Sequence, residues 1–229
     1  MTSLATEALA PQVQDLELSE EYLAQRFMRP AKPSEKISYE FTQDIALLHQ
    51  YYRLRAEQES RFDGFDDRSQ ILVAKRGRQC IAGVRFTPSA APHAKPLPME
   101  GKDLSLQVMF PELNLTECSY GEASCLAILP DYPTETVFTE IVRHLIKKVI
   151  TQKVKYLFSL SPQPVARAYR DAAQLFGLKW DVRNDIEVPN REEYEGGQMV
   201  LSVMDLAPYV QRHTPAYQSE KRREPELAD

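Results

Sequence analysis

The segment GEASCLAIL (121–129) sets one carboxylate, Glu122, into a run of small and aliphatic residues that is typical of a buried strand. Because side chains alternate along a strand, Ser124 is expected on the same face as Glu122, about 7 Å away, together with Leu126 and Ile128. If that face borders a cleft, burial raises the pKa of Glu122 and suits it to act as a general base for an amine nucleophile. The alternative is that Glu122 lies at a strand end and only accepts a hydrogen bond from a neighbouring loop.

Cys125 lies in the same segment and is expected on the opposite strand face, with Ala123 and Ala127. Its thiol could be a nucleophile with a histidine such as His144 as its base. A buried strand cysteine is commonly inert, however, and we favour that interpretation. The four histidines and three cysteines have neither zinc-ligand spacing nor the pattern of a disulfide framework, so no metal site is predicted.

The elements around this strand predict a layered α/β domain. In order, the sequence predicts a strand at 37–41, a helix at 43–61, a β-hairpin at 70–88 with its turn at 75–79, and a long excursion at 89–116 with one short helix. The strand of Glu122 follows, then a helix at 134–153, a strand at 155–161, a helix at 164–177 that Gly177 ends, and two strands between residues 178 and 206. This order indicates one mixed central sheet with helices on both faces.

The composition of the 229-residue chain is that of an ordinary soluble globular protein, with 43% hydrophobic and 27% charged residues. A formal net charge of −5 argues against nucleic-acid binding, because such proteins normally carry a basic excess. The apolar runs are too short to cross a bilayer, and the N-terminus has acids where a signal peptide has a basic start. We therefore expect a cytoplasmic protein with an N-terminal arm at 1–35, one domain at 36–207 and a charged tail at 208–229.

Three short motifs occur in a recognisable order: DGFD (63–66), GVRFTPS (83–89) and EASC (122–125). They are similar to a D-x-F/Y-D pair ahead of a strand, to G-x-x-R-L-x-P-T, and to E-x-S-R, which is matched at three of its four letters. In this respect the chain resembles the acyl-homoserine-lactone synthases and the long-chain N-acyl amino acid synthases of the GNAT acyltransferase superfamily. The resemblance covers roughly residues 37–180.

The resemblance implies a GNAT fold and an N-acyltransferase that moves a fatty acyl group from a carrier thioester to the amine of a small acceptor, such as an amino acid. It implies Glu122 and Ser124 as catalytic residues, and it implies that the acceptor is positioned by Asp63, Asp66 and Arg85. On the first helix, Arg55 is a further candidate for the substrate pocket. Cys125 stands where these families usually have arginine, which argues against S-adenosylmethionine as the acceptor.

The donor is expected to be an acyl-phosphopantetheine thioester, with no resident cofactor. GNAT enzymes that use acetyl-CoA resemble one another in a Q/R-x-x-G-x-G/A loop, which holds the CoA pyrophosphate at a helix N-terminus. The corresponding ILPDYPTET has no glycine and adds the charges of Asp131 and Glu135, which favours acyl-carrier protein over CoA. Docking of this acidic partner is expected on a basic stripe: Arg143, Lys147, Lys148 and Lys153. Such charges more often form a solvated helix face.

Two other functions remain open. The missing arginine and the missing glycine loop suggest a non-catalytic GNAT-like module that binds acyl-carrier protein or a lipid. The other is an acyl-CoA-dependent N-acetyltransferase that acts on a protein or a metabolite. Competition by free CoA separates the second from the carrier-protein interpretation, because a poor pyrophosphate site predicts weak CoA binding.

Overall fold

The computed structural model describes residues 36–57, 63–101, 103–132, 134–188 and 199–212. Its strands are β1 (Ile37–Thr42), β2 (Gln70–Arg76), β3 (Gln79–Ser89), β4 (Tyr120–Ile128), β5 (Tyr156–Pro162), β6 (Trp180–Arg183) and β7 (Met199–Asp205). Its helices are α1 (Ile45–Glu57), α2 (Leu106–Met109), α3 (Thr134–Thr151), α4 (Gln163–Gln174) and α5 (Ala207–Arg212). The strands form one sheet in the order β1-β2-β3-β4-β5-β7-β6, in which only β4 and β5 are parallel neighbours. The predicted mixed α/β fold class is confirmed.

Helices cover both faces of the sheet, as the apolar pattern of β2 requires. Leu72 and Ala74 point into the main core beneath α3 and α4, whereas Ile71 and Val73 pack against α1 on the other face. A strand with both faces buried is apolar at consecutive positions, and this explains the run ILVA. Helix α3 contributes a continuous apolar stripe to the main core: Val137, Phe138, Ile141, Val142, Leu145, Ile146 and Val149.

The excursion predicted at 89–116 covers the rest of the α1 face. Besides α2 it contains two 3₁₀ turns, at Pro111–Leu113 and Leu115–Glu117. Its buried apolar residues are Leu97, Met99, Leu104, Leu106, Phe110 and Leu115, which pack with Tyr120, Phe158, Leu160 and Leu201 of the sheet. The excursion is therefore a second small core over β4, β5 and β7, and not an open loop.

Helix α5 lies where the sequence predicts the charged tail to begin. The Asp205 carboxylate accepts the backbone N–H of Ala207 at 2.9 Å, which caps the helix start. Leu206 and Val210 are buried in the main core, so the folded domain continues to residue 212, past the predicted boundary at 207. The predicted arm and residues 213–229 lie outside the described residues. Within the described ranges, no helix has the length and apolar character needed to cross a bilayer.

Candidate active site

Strands β4 and β5 are paired only where they begin. Tyr120, Gly121 and Glu122 lie opposite Tyr156, Leu157 and Phe158. Beyond that point β4 continues to Ile128, while β5 pairs with β7 alone as far as Pro162. Two parallel strands that separate in this way leave an opening in the sheet, and the β4 edge beyond Glu122 borders it. Beyond Glu122, β5 therefore does not pair with the backbone groups on this edge of β4.

A β-bulge at Cys125 bends β4 at this opening. Ser124 and Ala127, three residues apart, lie opposite Arg85 and Gly83, which are only two apart, and Cys125 has φ of 54°. Such an extra residue shifts the alternation of side chains between the faces. The Tyr51 hydroxyl donates to the Cys125 carbonyl at 2.7 Å and so ties the bulge to α1.

The bulge corrects one prediction about the strand faces. Leu126 and Ile128 pack against the main core with Ala123, whereas Ala127 belongs to the cluster beneath α1. The prediction that Leu126 and Ile128 share the face of Glu122 is therefore wrong. Strict alternation holds only up to the bulged residue, and a period-two pattern cannot reveal where a bulge lies.

Glu122 is 3% exposed and lies under the excursion. One carboxylate oxygen, Oε2, accepts the backbone N–H of Met99 at 2.8 Å. Burial raises the pKa of Glu122 to about 7, although the Met99 hydrogen bond, the charge of Arg85 and a hydrogen bond from Ser124 lower it. The loop hydrogen bond and the raised pKa thus occur together at Glu122, and its use as a general base stays a prediction. A carboxylate near half-ionisation at neutral pH is suited to proton transfer.

The other predicted site residues form a network beside Glu122. Arg85 donates through Nε to the Ser124 hydroxyl at 3.2 Å and through Nη1 to Asp63 Oδ1 at 2.7 Å. Asp66 accepts from Arg55 at 2.8 Å and from Arg85 at 3.3 Å. The structure thus brings together all six residues assigned to catalysis and acceptor binding, from α1, β3, β4 and the turn before β2.

The members of this network differ in exposure, and this separates their functions. The side chains of Arg55, Arg85 and Asp66 are at most 2% exposed, so they hold one another in place. The Asp63 side chain is 38% exposed and is the carboxylate that a ligand can reach. Burial raises the pKa of Asp63, but the hydrogen bond and charge of Arg85 outweigh burial, and the pKa lies below its ordinary value.

The excursion above Glu122 is held by its own hydrogen bonds. Glu100 accepts the backbone N–H groups of Leu97 at 2.8 Å and Leu106 at 3.1 Å. The Ser89 hydroxyl donates to the Lys95 carbonyl at 2.7 Å and accepts the Lys95 N–H at 3.0 Å. Sequence reasoning missed Met99 and Glu100, because a backbone donor has no sequence signal and an acid in a polar segment has no distinctive spacing.

The basic stripe lies away from this site. Arg143 pairs with Glu140, and Lys148 lies over the Phe41 ring at 5.0 Å, which leaves Lys147 and Lys153 as the exposed cations of the set. Arg143 and Lys147 are about 13–20 Å along α3 from its N-terminus. Carrier-protein docking on this stripe stays a prediction.

His144 cannot serve as a base for Cys125. Its ring stacks on Tyr39 of β1 at 5.0 Å, and β1 is separated from β4 by two strands, or about 14 Å between the outer pair. The structure therefore gives no support to a cysteine nucleophile paired with this histidine. Among the described residues, no group of three or more metal-ligating side chains is placed to hold a metal ion.

Solved structures of other proteins are similar to about three quarters or more of this chain. The AHL synthase LasI matches with a TM-score of 0.52 and 16% identity, over 75% of this chain and 91% of its own. The CoA-dependent acyl-homoserine lactone synthase MesI matches with a TM-score of 0.50 and 14% identity, over 80% of this chain and 95% of its own. No protein-family model matches the sequence, and no curated protein matches it significantly. Similarity at these identities shows the fold, so the GNAT fold implied by the three motifs is confirmed.

Proposed function

We propose that this GNAT-fold chain is an N-acyltransferase that moves a fatty acyl group from a phosphopantetheine thioester to the amine of a small acceptor, such as an amino acid. The observation that carries the proposal is Glu122, a buried carboxylate with a pKa of about 7 beside the opening between β4 and β5. A base with this pKa can accept a proton from an ammonium group at neutral pH, which an ordinary carboxylate does poorly.

The reaction follows from this placement. Glu122, directly or through water, takes a proton from the acceptor ammonium, and the amine attacks the thioester carbon. The carbon–sulfur bond then breaks, and the nitrogen loses a second proton, which the departing thiolate takes up to give the free thiol and the amide. Backbone N–H groups of β4 beside the opening stabilise the oxyanion. Ser124 receives a hydrogen bond from Arg85 and lies beside Glu122, where its hydroxyl lowers the pKa of the base.

Asp63 is the network member suited to contact the acceptor, since it combines exposure with a charge held by Arg85. Arg55 and Asp66 act through Asp63 and Arg85 and are positioning residues. A negative carboxylate next to the base favours an acceptor that arrives as an ammonium ion.

The donor site favours acyl-carrier protein over CoA. Helix α3 begins at Thr134 with Glu135 in its first turn, and Asp131 is exposed in the segment before it. Carboxylates at a helix N-terminus repel the pyrophosphate that would otherwise bind there. Free CoA at millimolar concentration should therefore compete weakly with acyl-acyl-carrier protein. Competition at micromolar CoA would instead favour the acyl-CoA alternative.

The decisive experiment is mass spectrometry of products formed from acyl-acyl-carrier protein and a mixture of amino acids. Wild type should yield an N-acyl product, and Glu122→Gln should reduce it by about 10²-fold or more, the usual contribution of a general base. Glu117→Gln, an exposed acid just before β4, is the matched control and should retain activity. If no amine were acylated with either donor while carrier protein still bound, the non-catalytic module would be the better description.

A further inference from the structure

Arg68 is a half-buried cation that neither the motifs nor the network accounts for. It ends the 3₁₀ turn Asp66–Arg68, and its guanidinium lies 4.8 Å from the centre of the Phe65 ring. Its Nη2 donates to the Pro96 carbonyl of the excursion. Within the described part of the chain, no carboxylate lies within ion-pair distance of it.

Two connections place Arg68 close to Glu122. The next residue, Ser69, shares a 2.7 Å hydrogen bond with Thr87, which lies directly opposite Glu122 in the β3–β4 register. The segment 96–99 also spans both groups, because Pro96 accepts from Arg68 and Met99 donates to Glu122. Three extended residues reach at most about 11 Å. Burial lowers the pKa of Arg68, and the charge of Glu122 opposes this, so the two groups interact electrostatically.

Arg68 lies near the charges of Glu122 and Glu100, but neither carboxylate of these described residues is within ion-pair distance of its guanidinium. Arg55 and Arg85 pair with the two carboxylates of the network, and Glu100 accepts two backbone N–H groups. Glu122 is only partly ionised at neutral pH. A partly desolvated guanidinium gains most from a ligand carboxylate, which its planar fork binds with two hydrogen bonds.

We propose that Arg68 binds the carboxylate of the acceptor, which is therefore an α-amino acid or a similar zwitterion whose ammonium group lies at Glu122. The nitrogen and carboxyl carbon of an α-amino acid are about 2.5 Å apart. With a hydrogen bond of about 2.8 Å at each end, such a molecule bridges groups about 8 Å apart, within the separation that segment 96–99 permits. Arg68 thus supplies, from a different element, a cation of the kind missing at Cys125. This inference rests on the proposed function.

The test compares acids with amides. Wild type, Arg68→Gln and Arg68→Lys are given acyl-acyl-carrier protein with the twenty protein amino acids or, separately, with their α-carboxamides, which keep the amine and lose the carboxylate. Arg78→Gln, at an exposed arginine in the β2–β3 turn, is the matched control. We expect wild type to prefer the acids by about tenfold or more, the size of a lost charged hydrogen bond. Arg68→Gln should remove that preference by raising KM for the acids alone, and Arg68→Lys should restore part of it.

Four results would overturn the inference. Equal losses for acids and amides in Arg68→Gln would mean that Arg68 only holds the excursion through Pro96. If wild type acylated the amides as readily as the acids, the site would not recognise the carboxylate of the acceptor. If wild type acylated neither set but did acylate amines in a cell metabolite extract, the Arg68 inference would fail while the proposed function stood. If no amine were acylated, both would fail.

Discussion

The raised pKa of Glu122 should make wild type less stable as the pH rises, and Glu122→Gln should relieve this. The unfolded chain has an ordinary carboxyl pKa near 4.5 and the folded chain a pKa of about 7. Between these values the folded state binds more protons than the unfolded state, so the free energy of unfolding falls with increasing pH. At about 1.4 kcal/mol per pKa unit, the free energy of unfolding above pH 7 is lower than that below pH 4.5 by at most about 3 kcal/mol.

Glutamine is neutral at every pH, and its side-chain oxygen can still accept the Met99 N–H. Glu122→Gln should therefore unfold like wild type near pH 4.5 and become more stable than wild type by up to about 3 kcal/mol at pH 8. Urea titrations of both proteins at half-unit steps from pH 4.5 to 8 measure this difference. Because Glu117 is exposed, the stability of Glu117→Gln should follow that of wild type at every pH.

The same ionisation should control activity in the opposite direction. Because the base must be deprotonated, kcat/KM should rise about tenfold per pH unit below pH 7 and level off above it. The pH at which activity levels off and the pH at which stability stops falling should agree. If Glu122→Gln gained no stability between pH 5 and 8, or if the activity profile showed no acid limb near 7, Glu122 would not be the buried base described above.

Three further predictions concern the support of the site. Arg85→Met should lower the free energy of unfolding by about 3–5 kcal/mol in urea titrations and abolish turnover, because it removes a partner from buried Asp66. Gly83→Ala places a Cβ 2.5 Å from the Tyr51 ring and should cost about 1–3 kcal/mol, whereas Gly64→Ala, with nothing within 4 Å, should be nearly neutral in the same titrations. Tyr51→Phe should lose about 1 kcal/mol with its hydrogen bond to the bulge, and kcat should fall more than KM changes.

Much of the site could be predicted because its chemistry depends on the types of its side chains. Glu122 is conspicuous in an apolar strand, and the alternation up to Ser124 is ordinary strand geometry. The bulge at Cys125 could not be predicted, because it depends on the register between β3 and β4 and on the hydrogen bond from Tyr51, and both are set by the folded structure. The same holds for the Met99 N–H above Glu122, because a backbone donor is independent of residue type. Helix α5 was hidden by its short length, which gives too few turns for a periodic signal.

The case for catalysis depends on where unfavourable features accumulate. Glu122 is buried at the expense of stability, Cys125 adopts a left-handed conformation that non-glycine residues avoid, and Arg68 is half-buried beside the base. Glu122 and Cys125 lie where β4 separates from β5, and Arg68 is hydrogen-bonded to the excursion that covers Glu122. Several destabilising features occur together in a protein chiefly at sites where a function requires them. A fold shared at 16% identity does not by itself assign an activity, whereas this concentration of strain and charge at the opening identifies the position at which one is to be expected.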